Sequence, residues 1–457
     1  MIRSLIITIT SYIGLLIYLS IFAPGQAMAA TTTNNTTEDS DEYLYLADAE
    51  RTALQNDPQV AAALARARAF TEQSTAAGQL ADPQLKLGLF NLPIDDFDYK
   101  KNPTTQFRLG VNQKFPRGDT LKLKTLRDEW LSNAENAMAE VNARSLLRDI
   151  RQIWLDIWYQ QSAQLVIQEN RELFQQLVLI TEGQYAAGRA IQQDVIRADL
   201  ELSRLDDRLL NSSRAEKGLR GRLMRWIGSK GQLALPKEKP VLAAPANTEA
   251  ILTGLSEHPA LLQKSAQLEA QERSVDIARE QYKPGWSLGG EYRQRFGEDP
   301  DGSNRDNMIA VMATIDLPVF TAKRQDKQLA AAQEKADAVW LSRQDMLQKL
   351  QSEYYWRMAD EEELQQRLKL YNDYLLRDAK ANAEAALQAY QAGVTEFTTL
   401  MRASITELDV QLQALRVQVD LLKNHAHLQW LNSDQIQYST QNQRQSERPR
   451  GSANSGE

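Results

Sequence analysis

Residues 119–187 contain no proline and a single glycine, Gly183, and residues 322–392 contain neither. Runs of this kind predict α-helices. At 1.5 Å per residue each would be roughly 100 Å long, far beyond an ordinary globular helix. The same punctuation closes both runs. Tyr185-Ala186-Ala187-Gly188-Arg189 ends the first and Tyr390-Gln391-Ala392-Gly393-Val394 the second, at an offset of 205 residues that also aligns Arg197 with Arg402. A glycine between two helical stretches supplies the left-handed turn that ends one helix and admits the next. The expected units are two hairpins of very long helices, with Gly188 and Gly393 at their tips.

The returning helices carry narrow apolar seams: Val195, Ala198, Leu202, Leu205 and Leu209 in the first, and Met401, Ile405, Leu408, Leu412, Leu415, Val419 and Leu422 in the second. Spacing of three and four residues is that of a coiled coil, suited to a thin curved wall rather than a thick globule. The rest of the chain repeats as well. Pro58 and Pro259 stand 201 residues apart, as do Pro83 and Pro284, while Pro116 and Pro318 stand 202 apart, which is the mark of an internal duplication. Asn56-Asp57-Pro58 and Glu257-His258-Pro259 both read as helix starts with proline at the first helical position, and His258 reads as a cap.

Between these helix starts and the long runs, the hydrophobic period changes to two. Leu85, Leu87 and Leu89 alternate with Lys86 and Gly88. Phe107, Leu109, Val111 and Phe115 oppose Gln106, Arg108, Gly110 and Asn112. Trp286, Leu288, Tyr292 and Phe296 oppose Ser287, Glu291, Arg293 and Arg295, and Ile309, Val311, Ala313, Ile315 and Leu317 oppose Thr314 and Asp316. Four amphipathic strands of about ten residues fit a transmembrane β-barrel with an apolar exterior and a polar lumen. Lys86, Arg108, Glu291, Arg293 and Arg295 are then lumen residues.

Export is expected. Arg3, an apolar stretch over 5–22 and Ala27-Met28-Ala29 form a signal peptide, taken as residues 1–29. No later run is long and apolar enough for a membrane helix. With no cysteine there is no disulfide, thiolate metal site or lipid-acceptor thiol, and a net charge of −7 argues against nucleic acid as a partner. The chain divides into residues 30–81 (short helices), 82–117 (first strand hairpin), 118–228 (first helical hairpin) and 229–258 (linker). Then come 259–283 (a helix), 284–320 (second strand hairpin), 321–432 (second helical hairpin) and 433–457 (a polar tail).

Four strands cannot close a barrel, and an open sheet edge is not tolerated in lipid. Two copies would give eight strands with a filled interior; three would give twelve and a conduit. Three is the favoured count if the function is transport, and the expected fold class is then mixed α and β, mostly α: a trimeric 12-stranded β-barrel with four strands per chain, continued by a long periplasmic α-helical barrel.

The paired tips Tyr185-x-Ala-Gly188 and Tyr390-x-Ala-Gly393, the two helix starts and the repeated plan resemble the TolC family of outer-membrane efflux proteins. Residues 81–95 and Phe115-Pro-Arg-Gly-Asp119 resemble its heavy-metal efflux branch. That resemblance implies a homotrimeric exit duct in outer-membrane lipid, without cofactor or catalysis. It would serve a periplasmic adaptor and an inner-membrane pump of the resistance-nodulation-division type. Carried onto this sequence, it puts partner docking at Ala187, Gly188, Arg189, Ala392, Gly393 and Val394, and the periplasmic entrance at Asp194, Arg197, Glu396, Thr399 and Arg402. Because Thr399 and Arg402 stand where acidic gate residues occur in the family, a mixed entrance is expected, with Asp194 facing Arg197 or Arg402. Type I secretion, drug efflux and a soluble periplasmic coiled-coil scaffold are the competing readings. His425 and His427, two apart on a helix, point to different faces and cannot share a metal. Trp154, Trp158 and Tyr159 read as seam packing, and residues 299–302 as an exposed turn rather than a calcium loop.

Overall fold

The computed structural model describes residues 43–243 and 248–432. The expected signal peptide and tail lie outside the described residues. The first half consists of α1 (Leu46–Asn56), α2 (Pro58–Ala77), β1 (Gln84–Phe90), β2 (Gln106–Phe115), α3 (Thr120–Ala186) and α4 (Gln192–Ile227). The second half repeats that order with α5 (Thr248–Gly254), α6 (Pro259–Glu280), β3 (Gly285–Arg295), β4 (Met308–Asp316), α7 (Gln325–Leu370), α8 (Leu376–Gln391) and α9 (Phe397–Leu431). As the missing helix breakers predict, α3 runs unbroken for 67 residues.

Ahead of α1, Tyr43 forms a parallel bridge with Ala234, and the Leu44 amide donates to the Ala234 carbonyl at 2.8 Å. Two local expectations are corrected. The stretch taken as a linker holds a 3-10 turn over Gly228–Gln232 and the short α5. The second long run is not one continuous α-helix, because a π turn over Tyr371–Leu375 separates α7 from α8. A π turn shifts the register of all that follows it. Here it buries Tyr371 against Ala414 and Val417 of α9, where its hydroxyl donates to Gln413 Oε1 at 2.6 Å.

The helix starts show why these segments stop and begin where they do. Asp57 Oδ1 accepts from the amides of Gln59 and Val60 at 2.8 and 2.9 Å, capping α2 with Pro58 at its first position. The corresponding cap of α6 is His258, whose Nδ1 accepts from the Ala260 amide at 3.2 Å. Its other nitrogen, Nε2, lies 3.1 Å from the Trp430 carbonyl and donates to it, so both ring nitrogens are used by the neutral imidazole. Burial is the main reason that the His258 pKa falls to about 4 from 6.5, with Arg144 adding to the shift and the Trp430 carbonyl opposing it.

The sign of the pH effect follows. His258 contributes stability fully above pH 6.5, and that contribution is lost as pH falls toward 4, when protonation removes the acceptor from the cap. The loss is expected to reach on the order of 3 kcal/mol. Urea unfolding of the wild type between pH 7 and pH 4 should show this decline, and His258→Gln should reduce it, leaving the share that comes from His427, whose pKa burial likewise lowers to about 4.

The core is a chain of separate clusters along the helices. The largest joins Leu44 and α1 to Ile150, Trp154, Leu155 and Ile157 of α3, to Leu223 and Ile227 of α4, and to Val419 and Leu422 of α9. A second cluster near the tips holds Phe174, Leu177, Leu205, Tyr390, Phe397 and Leu400. The seam packing expected of Trp154 and Trp158 is thus what these side chains do.

Candidate functional site

The four strands form one antiparallel sheet in the order β1-β2-β3-β4. Each strand's alternation fixed its faces, and the register now aligns them. Leu85, Leu87 and Leu89 pair with Val111, Leu109 and Phe107. Leu109 pairs with Tyr292, Phe115 with Trp286, and Val111 with Gly290. Gly290, Tyr292 and Trp286 pair in turn with Val311, Ile309 and Ile315. All these residues share one face, and that face is open: Ile309 is 81% exposed, Val311 76% and Leu85 63%. No helix covers it. Stacked Phe115 and Trp286, with centroids 4.0 Å apart, mark one end; edge-packed Tyr99 and Phe296, at 5.1 Å, mark the other. Such a face in water would be a large aggregation-prone patch, and it is what lipid requires.

The charged residues occupy the opposite face and shield one another. Glu291 Oε1 accepts from Arg293 Nε at 2.6 Å and lies 3.5 Å from Arg108 Nε. The Arg108 guanidinium also stands 4.1 Å over the Phe90 ring. Arg295 donates from Nε and Nη2 to the Pro103 carbonyl at 3.3 and 3.2 Å, while Lys86 stands opposite Gly110 and is exposed. The sequence reading missed Met308, Ala310 and Met312, which share this inner face. The reason is that β4 is apolar on both sides, so only Thr314 and Asp316 betrayed its parity. The sheet is inside out, and both β1 and β4 leave an unpaired edge.

At the far ends of the helices the two tips have the same geometry. Gly188 and Gly393 adopt φ of +69° and +70°, the left-handed region that glycine enters freely. The Arg189 amide donates to the Gln184 carbonyl at 2.8 Å and the Gly188 amide to Tyr185 at 2.9 Å. In the second tip the Val394 amide donates to Ala389 at 2.9 Å and the Gly393 amide to Tyr390 at 3.0 Å. Each is a Schellman closure followed at once by a new helix. Ala187, Arg189 and Ala392 are exposed, and Val394 is 80% exposed.

Asp194 lies in the first turn of α4, where the helix N-terminus favours a carboxylate, and Arg197 one turn further. Glu396 is the residue that precedes α9, and its carboxylate accepts from Thr398 Oγ1 at 3.3 Å; Thr399 and Arg402 follow on the exposed side. The expected contact of Asp194 with Arg197 or Arg402 is not made within the chain. Among the described residues no ion pair joins Asp194 to Arg197 or Arg402.

Other residues singled out in the sequence are engaged elsewhere. His425 Nε2 lies 2.8 Å from Glu361 Oε1, and His427 faces Gln152. In the turn at 299–302 the Asp301 carboxylate accepts from the Ser303 amide and hydroxyl at 3.0 and 2.6 Å, and Asp299 pairs with Arg305. Asp96 pairs with Lys101 in the loop before β2.

No curated protein matches the chain by sequence. Residues 252–431 match the model of the outer membrane efflux protein family. Solved structures are similar over most of the chain, among them three outer-membrane proteins. The outer membrane protein VceC from Vibrio cholerae shares 18% identity, with 85% of this chain and 96% of that one covered at a TM-score of 0.72. The outer membrane channel CmeC from Campylobacter jejuni shares 13%, with 88% of each chain covered at 0.71. CusC, whose structures concern folding and transmembrane channel formation, shares 17%, with 85% and 92% covered at 0.71. At such identities the likeness is one of fold. Residues 252–431 thus carry the match to the outer membrane efflux protein family, and the described residues share the fold of solved outer-membrane channels.

Proposed function

We propose that the chain is the outer-membrane exit duct of a tripartite efflux system and conducts its cargo passively. The observation that supports this reading is the sheet with its apolar face uncovered, its charges on the opposite face and both edges free. In lipid those edges must be paired, and β4 of one copy meeting β1 of the next satisfies them. Three copies make twelve strands; eight would be filled by the arginines and Phe90 of the inner face. The helices of the duplicated halves then continue the barrel as an α-helical wall across the periplasm. The tips, Ala187-Gly188-Arg189 and Ala392-Gly393-Val394, present exposed backbone and side chains to a periplasmic adaptor and, beyond it, to a pump of the resistance-nodulation-division type. Asp194, Arg197, Glu396, Thr399 and Arg402 border the entrance, and any pairing of Asp194 with Arg402 runs between copies. The energy comes from the pump.

Arginines placed one at a time on the two faces of β4 test the reading. Lipid contact predicts that only the outward face rejects them; equal tolerance of both faces contradicts it.

A further inference from the structure

The charges on the inner face are unequal in number. Lys86, Arg108, Arg293 and Arg295 stand there against a single carboxylate, Glu291. Glu291 is already engaged with two guanidiniums, which leaves an excess of three positive charges per chain. At the periplasmic end of the same face Lys114 of β2 and Asp316 of β4 offset each other. The entrance residues are also balanced, Asp194 and Glu396 against Arg197 and Arg402. A ring of three copies triples the excess inside the barrel, while the named pairs at its periplasmic end and at the entrance cancel.

The outer loops have the opposite sign. Asp95, Asp96, Asp98, Glu298, Asp299, Asp301 and Asp306 outnumber Lys100, Lys101 and Arg305 there. These acids sit on turns open to bulk solvent, and Asp96 and Asp299 are already paired. Charges on open turns are screened within about 10 Å at 0.1 M salt. Charges on low-dielectric walls that enclose a pore are focused into it instead. Arginine, moreover, stays charged at any working pH.

We propose that the barrel is an anion-selective segment of the duct, its preference set by Lys86, Arg108, Arg293 and Arg295. Anionic or zwitterionic solutes pass it more readily than free divalent cations do. Rings of Arg and Lys are the usual means by which pores favour anions. The inference rests on the duct reading above and names the cargo class that this duct favours; bare heavy-metal cations, the expectation from branch resemblance, are disfavoured.

The test is the reversal potential of the full mature protein in planar bilayers of neutral lipid under a potassium chloride gradient. The wild type is expected to favour chloride. Lys86→Glu, at an exposed residue outside the ion pairs of the described chain, should lower the chloride-to-potassium permeability ratio by about twofold or more. Combined with Arg295→Glu it should carry the preference over to potassium. Potassium preference or no preference in the wild type overturns the proposal, as does a ratio that Lys86→Glu leaves unmoved in a conducting pore. A folded trimer that conducts nothing overturns the duct reading itself and this inference with it.

Discussion

Ile309→Arg is expected to remove the protein from the outer membrane, whereas Ala310→Arg, one residue along the same strand, leaves it there. The two positions differ only in parity. Ile309 pairs with Tyr292 on the open apolar face, and Ala310 pairs with Glu291 on the charged one. An arginine facing lipid costs up to about 2–4 kcal/mol at the bilayer midplane and less toward either interface, and symmetry imposes that cost on every copy in the barrel. At position 310 the new guanidinium enters the aqueous side, in register with a carboxylate that accepts from guanidiniums already. Fractionated membranes probed for the protein give the answer directly. Loss of both variants, or of neither, contradicts the assignment of the faces.

Trp154→Ala should be the most damaging single change in the helical part. Trp154 is 2% exposed at the centre of the largest cluster, between α1, α4 and α9. Its Nε1 donates to the Leu44 carbonyl at 3.0 Å, which ties the extended segment before α1 to the long helix. Truncating a buried tryptophan costs about 3–5 kcal/mol. The Leu44 carbonyl, left without this partner, adds about 1–3 kcal/mol. Urea unfolding in detergent should show a loss within the combined range, and limited proteolysis should cut first near residues 43–56. Trp154→Phe keeps most of the ring and should lose much less. An Ala variant of unchanged stability would mean that the cluster does not hold the N-terminal segment.

Much of this fold was legible because its signals are long. No proline and only one glycine, Gly183 in its last turn, fall in residues 120–186, so the helix they form has no earlier stop. Gly188 and Gly393 mark the tips because only a left-handed residue closes them in this way. The two-residue alternation gave the faces of all four strands. It did not give their neighbours: alternation says which way Leu109 points but not that it lies beside Tyr292, far along the chain. The π turn over Tyr371–Leu375 was invisible, since no glycine or proline marks it and its packing on α9 joins residues far apart in the sequence. The short α5 was read as linker because Thr248–Gly254 is too brief to show a period. His258 was legible as a cap because it stands where Asp57 stands in the first half, but its link to the Trp430 carbonyl was not. The entrance expectation came from resemblance alone, and no ion pair within the described chain joins Asp194 to Arg197 or Arg402.

The most direct measurement is the number of chains in the particle that the mature protein forms once extracted from the membrane. Light scattering in detergent, corrected for bound detergent, is predicted to give three copies, with precipitation when detergent is withdrawn. A stable single chain in plain buffer would contradict it, because the open face of the sheet would then need neither lipid nor partners.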